Sequence, residues 1–187
     1  APLLATVITH KESHLQWLKL CDNSPGLGDV VAVSVSDAMV YRSRHLEGTT
    51  TQLHSLYLWN NCIGDVGAAA LARVLTLAGT RLEVLNLNRN NIGDTGCRAL
   101  AAALQPRRTY TGTTVSTCLA KLYLSRNAAI GDGGCKAISG SLDYCPTLKF
   151  LEMNYCSMTL TAVDELVDGW VSSGKERKNV DCRLGRE

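Results

Sequence analysis

The chain has 187 residues, of which 45% are hydrophobic, with 19 basic against 17 acidic side chains. A net charge of +2 with no long basic run does not describe a nucleic-acid binder, and no apolar stretch approaches the roughly 20 residues of a membrane span. The opening "APLLATVI" is too short for a secretory signal and lacks its basic flank; because the sequence starts without Met, it is expected to be a piece of a longer chain.

In chain order, "PLLATVITH" reads as a helix. Leu15-Gln-Trp-Leu18-Lys-Leu20-Cys-Asp-Asn23 alternates like a strand, and "LGDVVAVSVSDAM" from Leu27 to Met39 changes to a helical period. The same pair of segments then recurs. Leu53-His-Ser-Leu56-Tyr-Leu58-Trp-Asn-Asn61 is followed by "IGDVGAAALARVL", and Leu82-Glu-Val-Leu85-Asn-Leu87-Asn-Arg-Asn90 by "IGDTGCRALAAAL". Next come Leu119-Ala-Lys-Leu122-Tyr-Leu124-Ser-Arg-Asn127 and "IGDGGCKAISGSL". Leu148-Lys-Phe-Leu151-Glu-Met153-Asn-Tyr-Cys156 ends the phrase in Cys, and Val180-Asp-Cys182 is a degenerate copy. The intervals of 38, 29, 37, 29 and 29 residues mark a solenoid. Six parallel strands are predicted near 15, 53, 82, 119, 148 and 178, within one domain spanning 1–187 that ends in a half repeat.

In such a stack each unit gives one strand and one helix, and neither buries its apolar side alone. Leu56, Leu58, Leu85, Leu87, Leu122 and Leu124 are predicted to point inward, and Asn61, Asn90 and Asn127 to form a column that satisfies backbone groups of the adjacent turn. Asp65, Asp94 and Asp132 stand where helix N-caps belong. Two insertions, Val40–Gln52 and Gln105–Thr117, leave a helix and return to a strand. They share one edge, where Arg42, Arg44, Arg107 and Arg108 form a possible secondary surface; solvated mobile loops are the alternative reading.

The phrase L-x-x-L-x-L-x-x-N with a full helix near every 29 residues resembles the leucine-rich repeat, in its ribonuclease-inhibitor-like, intracellular subclass. The resemblance covers nearly the whole chain. It implies a curved right-handed α/β solenoid, with parallel strands on the concave face and helices on the convex face, used as a protein-binding module or scaffold. The Ran GTPase-activating protein, a GTPase regulator, and the tropomodulin repeat region, a cytoskeletal capping domain, use similar repeats and supply the alternative readings. In this family Cys is a common substitute in the Asn column, which makes Cys156 structural.

Chemistry finds little footing. The eight cysteines include no CxxC pair, and Cys62, Cys97, Cys135 and Cys156 sit in apolar patterns where a thiol acts as a small hydrophobe. A reduced, intracellular protein with free thiols is expected. His10, His14, His45 and His54 share no ligand spacing with these thiols, so neither metal nor other cofactor is expected. "IGDGGCK" invites a phosphate-loop reading. Its phase-mates "IGDVGAA" and "IGDTGCR" lack the third Gly, which favours a structural turn. No GxxxxGK[ST], GxSxG or HExxH occurs, and the chain is read as no enzyme.

Binding has residues to rest on. The x positions of the phrase carry Trp17, Tyr57, Trp59, Tyr123, Phe150 and Tyr155, six of the chain's ten aromatic residues. Interface centres are enriched in Trp, Tyr and Arg, so these rings are candidates for a protein partner's surface; the alternative is that they pack on one another. Arg89 and Arg126 share one x position in successive repeats, close to Lys121 and Glu83. They either splay into solvent or meet an acidic patch of that partner. Tyr57, Trp59, Arg89, Tyr123 and Arg126 are predicted to form one patch.

Overall fold

The computed structural model describes residues 2–10, 13–23, 27–45, 52–108 and 112–184. In chain order come α1 (Pro2–Thr9), β1 (Trp17–Lys19), α2 (Gly28–His45), β2 (Ser55–Tyr57), α3 (Asp65–Leu75), β3 (Val84–Asn86) and α4 (Asp94–Leu104). They continue with β4 (Arg107–Arg108), β5 (Thr114–Val115), β6 (Lys121–Tyr123), α5 (Asp132–Ser139), β7 (Phe150–Glu152), α6 (Leu160–Ser172) and β8 (Val180–Asp181). Six of the strands form one wholly parallel sheet in the order β1-β2-β3-β6-β7-β8, and each helix packs against the next. Strands sit roughly 4.8 Å apart while packed helices need about 8–10 Å, so the stack curves with the sheet on its concave side.

The strands are short because only the middle of each phrase pairs. Register aligns Leu18, Leu56, Leu85, Leu122, Leu151 and Val180 across the sheet. Leu56, Leu58, Leu85, Leu87, Leu122 and Leu124 are all fully buried, on the helix side of the sheet. Behind them runs the amide column. Asn90 Nδ2 donates to the carbonyls of Leu58 and Leu87, both at 3.0 Å, while its Oδ1 accepts from the Asn61 and Ile63 amides. Asn127 bonds Leu87, Leu124 and the Ile92 amide in the same way. Cys156 fills the next place, its thiol donating to Leu124 O at 3.5 Å.

The aspartates do not cap their own helices. Gly64, Gly93 and Gly131 are the N-caps of α3, α4 and α5, and each aspartate is the first residue inside its helix. Its carboxylate reaches instead into the next repeat. Asp29 Oδ1 accepts from Gly64 N at 2.7 Å and Gly67 N at 2.9 Å; Asp65 Oδ1 accepts from Gly93 N and Gly96 N, both at 2.8 Å. Asp94 does the same for Gly131 and Gly134, and Asp132 takes the Thr159 amide and hydroxyl. The starts of α3, α4, α5 and α6 are thus each closed by a carboxylate from the preceding unit, which satisfies orphan amides and complements the positive end of the helix.

The insertions also differ from expectation. Val40–His45 do not leave the helix; they extend α2, which is 18 residues long. Val40 is buried, and Arg42 is only 3% exposed, its guanidinium donating to the carbonyls of Ile8, in the last turn of α1, and of His10 just after it. Arg42 is therefore an internal tie, not a surface residue, whereas Arg44 is exposed. In the second insertion β4 and β5 pair antiparallel, leaving Arg107 and Arg108 exposed. Residues 46–51 and 109–111 of the two insertions lie outside the described residues. No helix among the described residues is long and apolar enough to cross a membrane.

Candidate interaction surface

Because the pleat alternates, residues flanking each buried leucine face away from the helices. Register arranges them in rows across the sheet. One row is Trp17, Ser55, Val84, Lys121 and Phe150; the next is Lys19, Tyr57, Asn86, Tyr123, Glu152 and Asp181. Two residues further on lie Cys21, Trp59, Asn88, Ser125, Asn154 and Arg183, where the ladder continues through Asp22 N to Trp59 O, Asn60 N to Asn88 O and Arg89 N to Ser125 O.

The rings gather into separate groups. Tyr123 and Phe150 come from adjacent strands and pack with centroids 5.2 Å apart at 41°. Tyr57 ends β2 and Trp59 follows two residues beyond it, both half-buried. Between the two groups runs β3, where Val84 and Asn86, with Asn88 two residues beyond the strand, stand in place of rings. Burial raises the Tyr123 phenol above its ordinary pKa, helped by the negative charge of Glu152 and by Tyr57. Trp17 stands apart on β1, 64% exposed.

Backbone conformation sets the two arginines of the expected patch apart from its rings. Arg89, Arg126 and Tyr155 do not lie on the pleat. They occupy the turn that leaves it, with φ of 54°, 60° and 58°, matching Asp22 and Asn60 in the first two repeats. All three are exposed, and the Arg126 guanidinium lies 4.6 Å over the Tyr155 ring. The ion pairs among the described residues, Arg73–Asp37, Lys178–Glu176 and Arg183–Asp181, include neither Arg89, Arg126, Lys121 nor Glu83.

A polar chain at the β6–β8 end is the feature that residue-type reasoning passed over. Glu152 Oε1 accepts from Ser125 Oγ at 2.6 Å and Asn88 Nδ2 at 3.4 Å, and Ser125 Oγ accepts from Asn154 N. Asn154 Nδ2 donates to Asp181 Oδ2, whose partner oxygen accepts from Arg183 Nε at 3.2 Å. The signal was available: Asn88, Ser125 and Asn154 are short polar residues at one place in successive phrases. The face is therefore aromatic in its middle and hydrogen-bonding at one end.

The "IGDGGCK" turn has no vacancy for an anion, since Asp94 already occupies the Gly131 and Gly134 amides. Among the described residues no cluster of His, Cys, Asp and Glu is arranged to hold a metal ion.

A Leucine Rich repeat family model matches residues 51–72, 80–101 and 115–139. Among solved structures, the actin-binding site 2 of leiomodin-1 superposes with a TM-score of 0.62 at 16% identity, over 92% of this chain and 90% of that one. At that identity the likeness concerns the fold. A search of curated proteins returned no match.

Proposed function

Since this chain is a leucine-rich repeat solenoid, we propose that it acts as a protein-binding module whose partner seats on the concave sheet face. The observation that carries this reading is the arrangement of the Tyr57–Trp59 and Tyr123–Phe150 ring groups about the amide-bearing strand β3. Rings offer large contact area at low rotamer cost, and the amides between them give a partner's polar groups somewhere to bond. Nothing in the site asks for a reacting group; its chemistry is recognition.

Photo-crosslinking residues placed at Trp59 and at Tyr123 are expected to capture a partner in native extract, whereas one at Val66, 66% exposed on α3, is not. Crosslinks confined to Val66 or to the Arg107 hairpin would move the interface off the sheet. Once the partner is in hand, Trp59→Ala is expected to cost about 1–3 kcal/mol of its binding, read by calorimetry.

A second reading names actin. It is supported by the likeness, over most of this chain, to a structure described as an actin-binding site. Co-sedimentation with filamentous actin and a nucleated assembly assay test it directly: the chain must pellet with filaments or alter assembly, and a chain doing neither is not an actin binder.

A further inference from the structure

We infer that the strand-exit edge formed by Arg89, Arg126 and Tyr155 binds an acidic helix of a partner protein. The inference rests on the protein-binding reading above but uses a different surface, beside the ring-bearing face.

The backbone is the first argument. Five successive turns hold the residue before the column position at positive φ: Asp22, Asn60, Arg89, Arg126 and Tyr155. Asp and Asn enter that region at little cost, and the first two repeats use them, joined by Asn60 Nδ2 donating to Asp22 Oδ1 at 2.8 Å. The next three repeats set Arg, Arg and Tyr in the same strained place. The backbone of the turn gains nothing from that choice.

Charge is the second argument. Neighbouring units of the sheet lie roughly 4.8 Å apart, so two guanidinium-bearing turns stand side by side, and like charges so placed repel unless an acid lies across them. Neither arginine takes part in any ion pair among the described residues. Arg126 is instead laid over the Tyr155 ring, a cation–π contact that orients its donor fork in advance. Among the described residues the edge is thus cationic and without an ion pair, and it is partly pre-ordered beside an aromatic ring.

Spacing selects the occupant. Carboxylates at i and i+4 of a helix spring from Cβ atoms about 5–6 Å apart, close to the separation of adjacent turns, whereas alternate residues on one strand face are nearly 7 Å apart. A helix bearing such an acidic pair meets Arg89 and Arg126 together and brings an apolar neighbour onto Tyr155.

The test uses a synthetic helical peptide with Glu at i, i+4 and i+8, its Gln counterpart, and inorganic phosphate. Each is titrated into isotope-labelled protein while the arginine Nε–H signals are followed. The Glu peptide is expected to shift Arg89 and Arg126 and to bind at least tenfold more weakly to the Arg89→Asn/Arg126→Asn variant. Asn suits the turn conformation, so that variant melts no lower than the parent and its loss of binding is not a loss of fold. Arg126→Lys is expected to weaken binding too, since it keeps the charge and loses the fork. Equal binding of the Glu and Gln peptides, or unchanged binding by the double Asn variant, overturns the inference. So does a response of the same arginines to phosphate that exceeds the response to the peptide, which assigns the edge to a phosphate group. Failure here leaves crosslinking at Trp59 and Tyr123 untouched, so the two readings fail separately.

Discussion

Burial changes the chemistry of individual thiols in this stack. Cys97, Cys135 and Cys156 lie in the core, and Cys182 packs against it. Desolvation is the main cause that lifts the thiol of Cys135 from 9.0 to about 12, Cys182 to about 12 and Cys156 to about 11; it pushes Cys97 higher still. These are weak nucleophiles at neutral pH, inert compared with exposed Cys118. The shifts carry a sign for stability. An unfolded chain sheds these protons near pH 9.0, whereas the folded core retains them. The contribution to folding is complete below that pH and is lost as pH climbs through 11 and 12, with a slope of at most about 1.4 kcal/mol per pH unit for a thiol and less where it is only partly desolvated. Urea midpoints should therefore fall between pH 9 and 10.5, and fall less steeply in Cys135→Ala. Parallel slopes for the two proteins would show that other groups govern the alkaline limb.

Helix starts are where elements lock to one another, and where a propensity argument fails in sign. Gly96 lies in the first turn of α4, and replacing such a residue with Ala normally gains up to about 1 kcal/mol. Here the added methyl meets Asp65 Oδ1 at 2.7 Å, Ile92 Cγ2 at 2.8 Å and Ala68 Cβ at 3.0 Å, so the carboxylate that closes the helix is displaced. Gly96→Ala is expected to destabilise by about 1–3 kcal/mol by overpacking. Asp65→Ala, which strands two buried amides, should cost a similar amount. The double variant should cost less than the sum of the two, since the clash partner is gone. Urea melts of the three proteins decide; strict additivity would mean that the contact carries no weight. This ladder was not legible in the sequence, because Asp65 and its partners belong to different repeats and look like local caps until the repeats are stacked. Strand and helix order were legible, since the period changes from two to nearly four at the same place in each unit. Arg42 misled for a related reason: a long cationic side chain reads as surface, and only the carbonyl end of α1 makes it internal. At the binding face, the outward positions were readable from the phrase. The split of the rings around β3 required the register, and the placing of Arg89 and Arg126 at the turn required its positive φ.

Over these 187 residues the stack is one-dimensional, each unit held only by its neighbours, so packing at its two flanks decides where this stretch opens. The ends are unequal. At the C-terminal side Trp170 is fully buried, its indole N–H donates to Glu176 O at 2.9 Å, and Lys175 Nζ both donates to Leu142 O at 2.8 Å and sits 5.7 Å from the indole ring. At the N-terminal side Leu15, Leu18 and Leu20 are only partly buried, and a cavity of about 390 Å³ opens among Leu4, Val7, Leu20, Leu27 and Val30. The tie from Arg42 to α1 holds only the far end of that first pair of helices. Five equivalent amides report on the stack, those of Leu20, Leu58, Leu87, Leu124 and Met153, each donating across the sheet at 2.8–2.9 Å. With geometry this uniform, differences in their hydrogen exchange measure the opening of the units and not the strength of the bonds. Under native conditions with rising urea, Leu20 should exchange at the lowest opening free energy, Leu58, Leu87 and Leu124 at the highest, and Met153 above Leu20 because Trp170 seals its end. A single opening energy shared by all five would make the solenoid one cooperative unit, and Met153 exchanging before Leu20 would place the weak end on the other side.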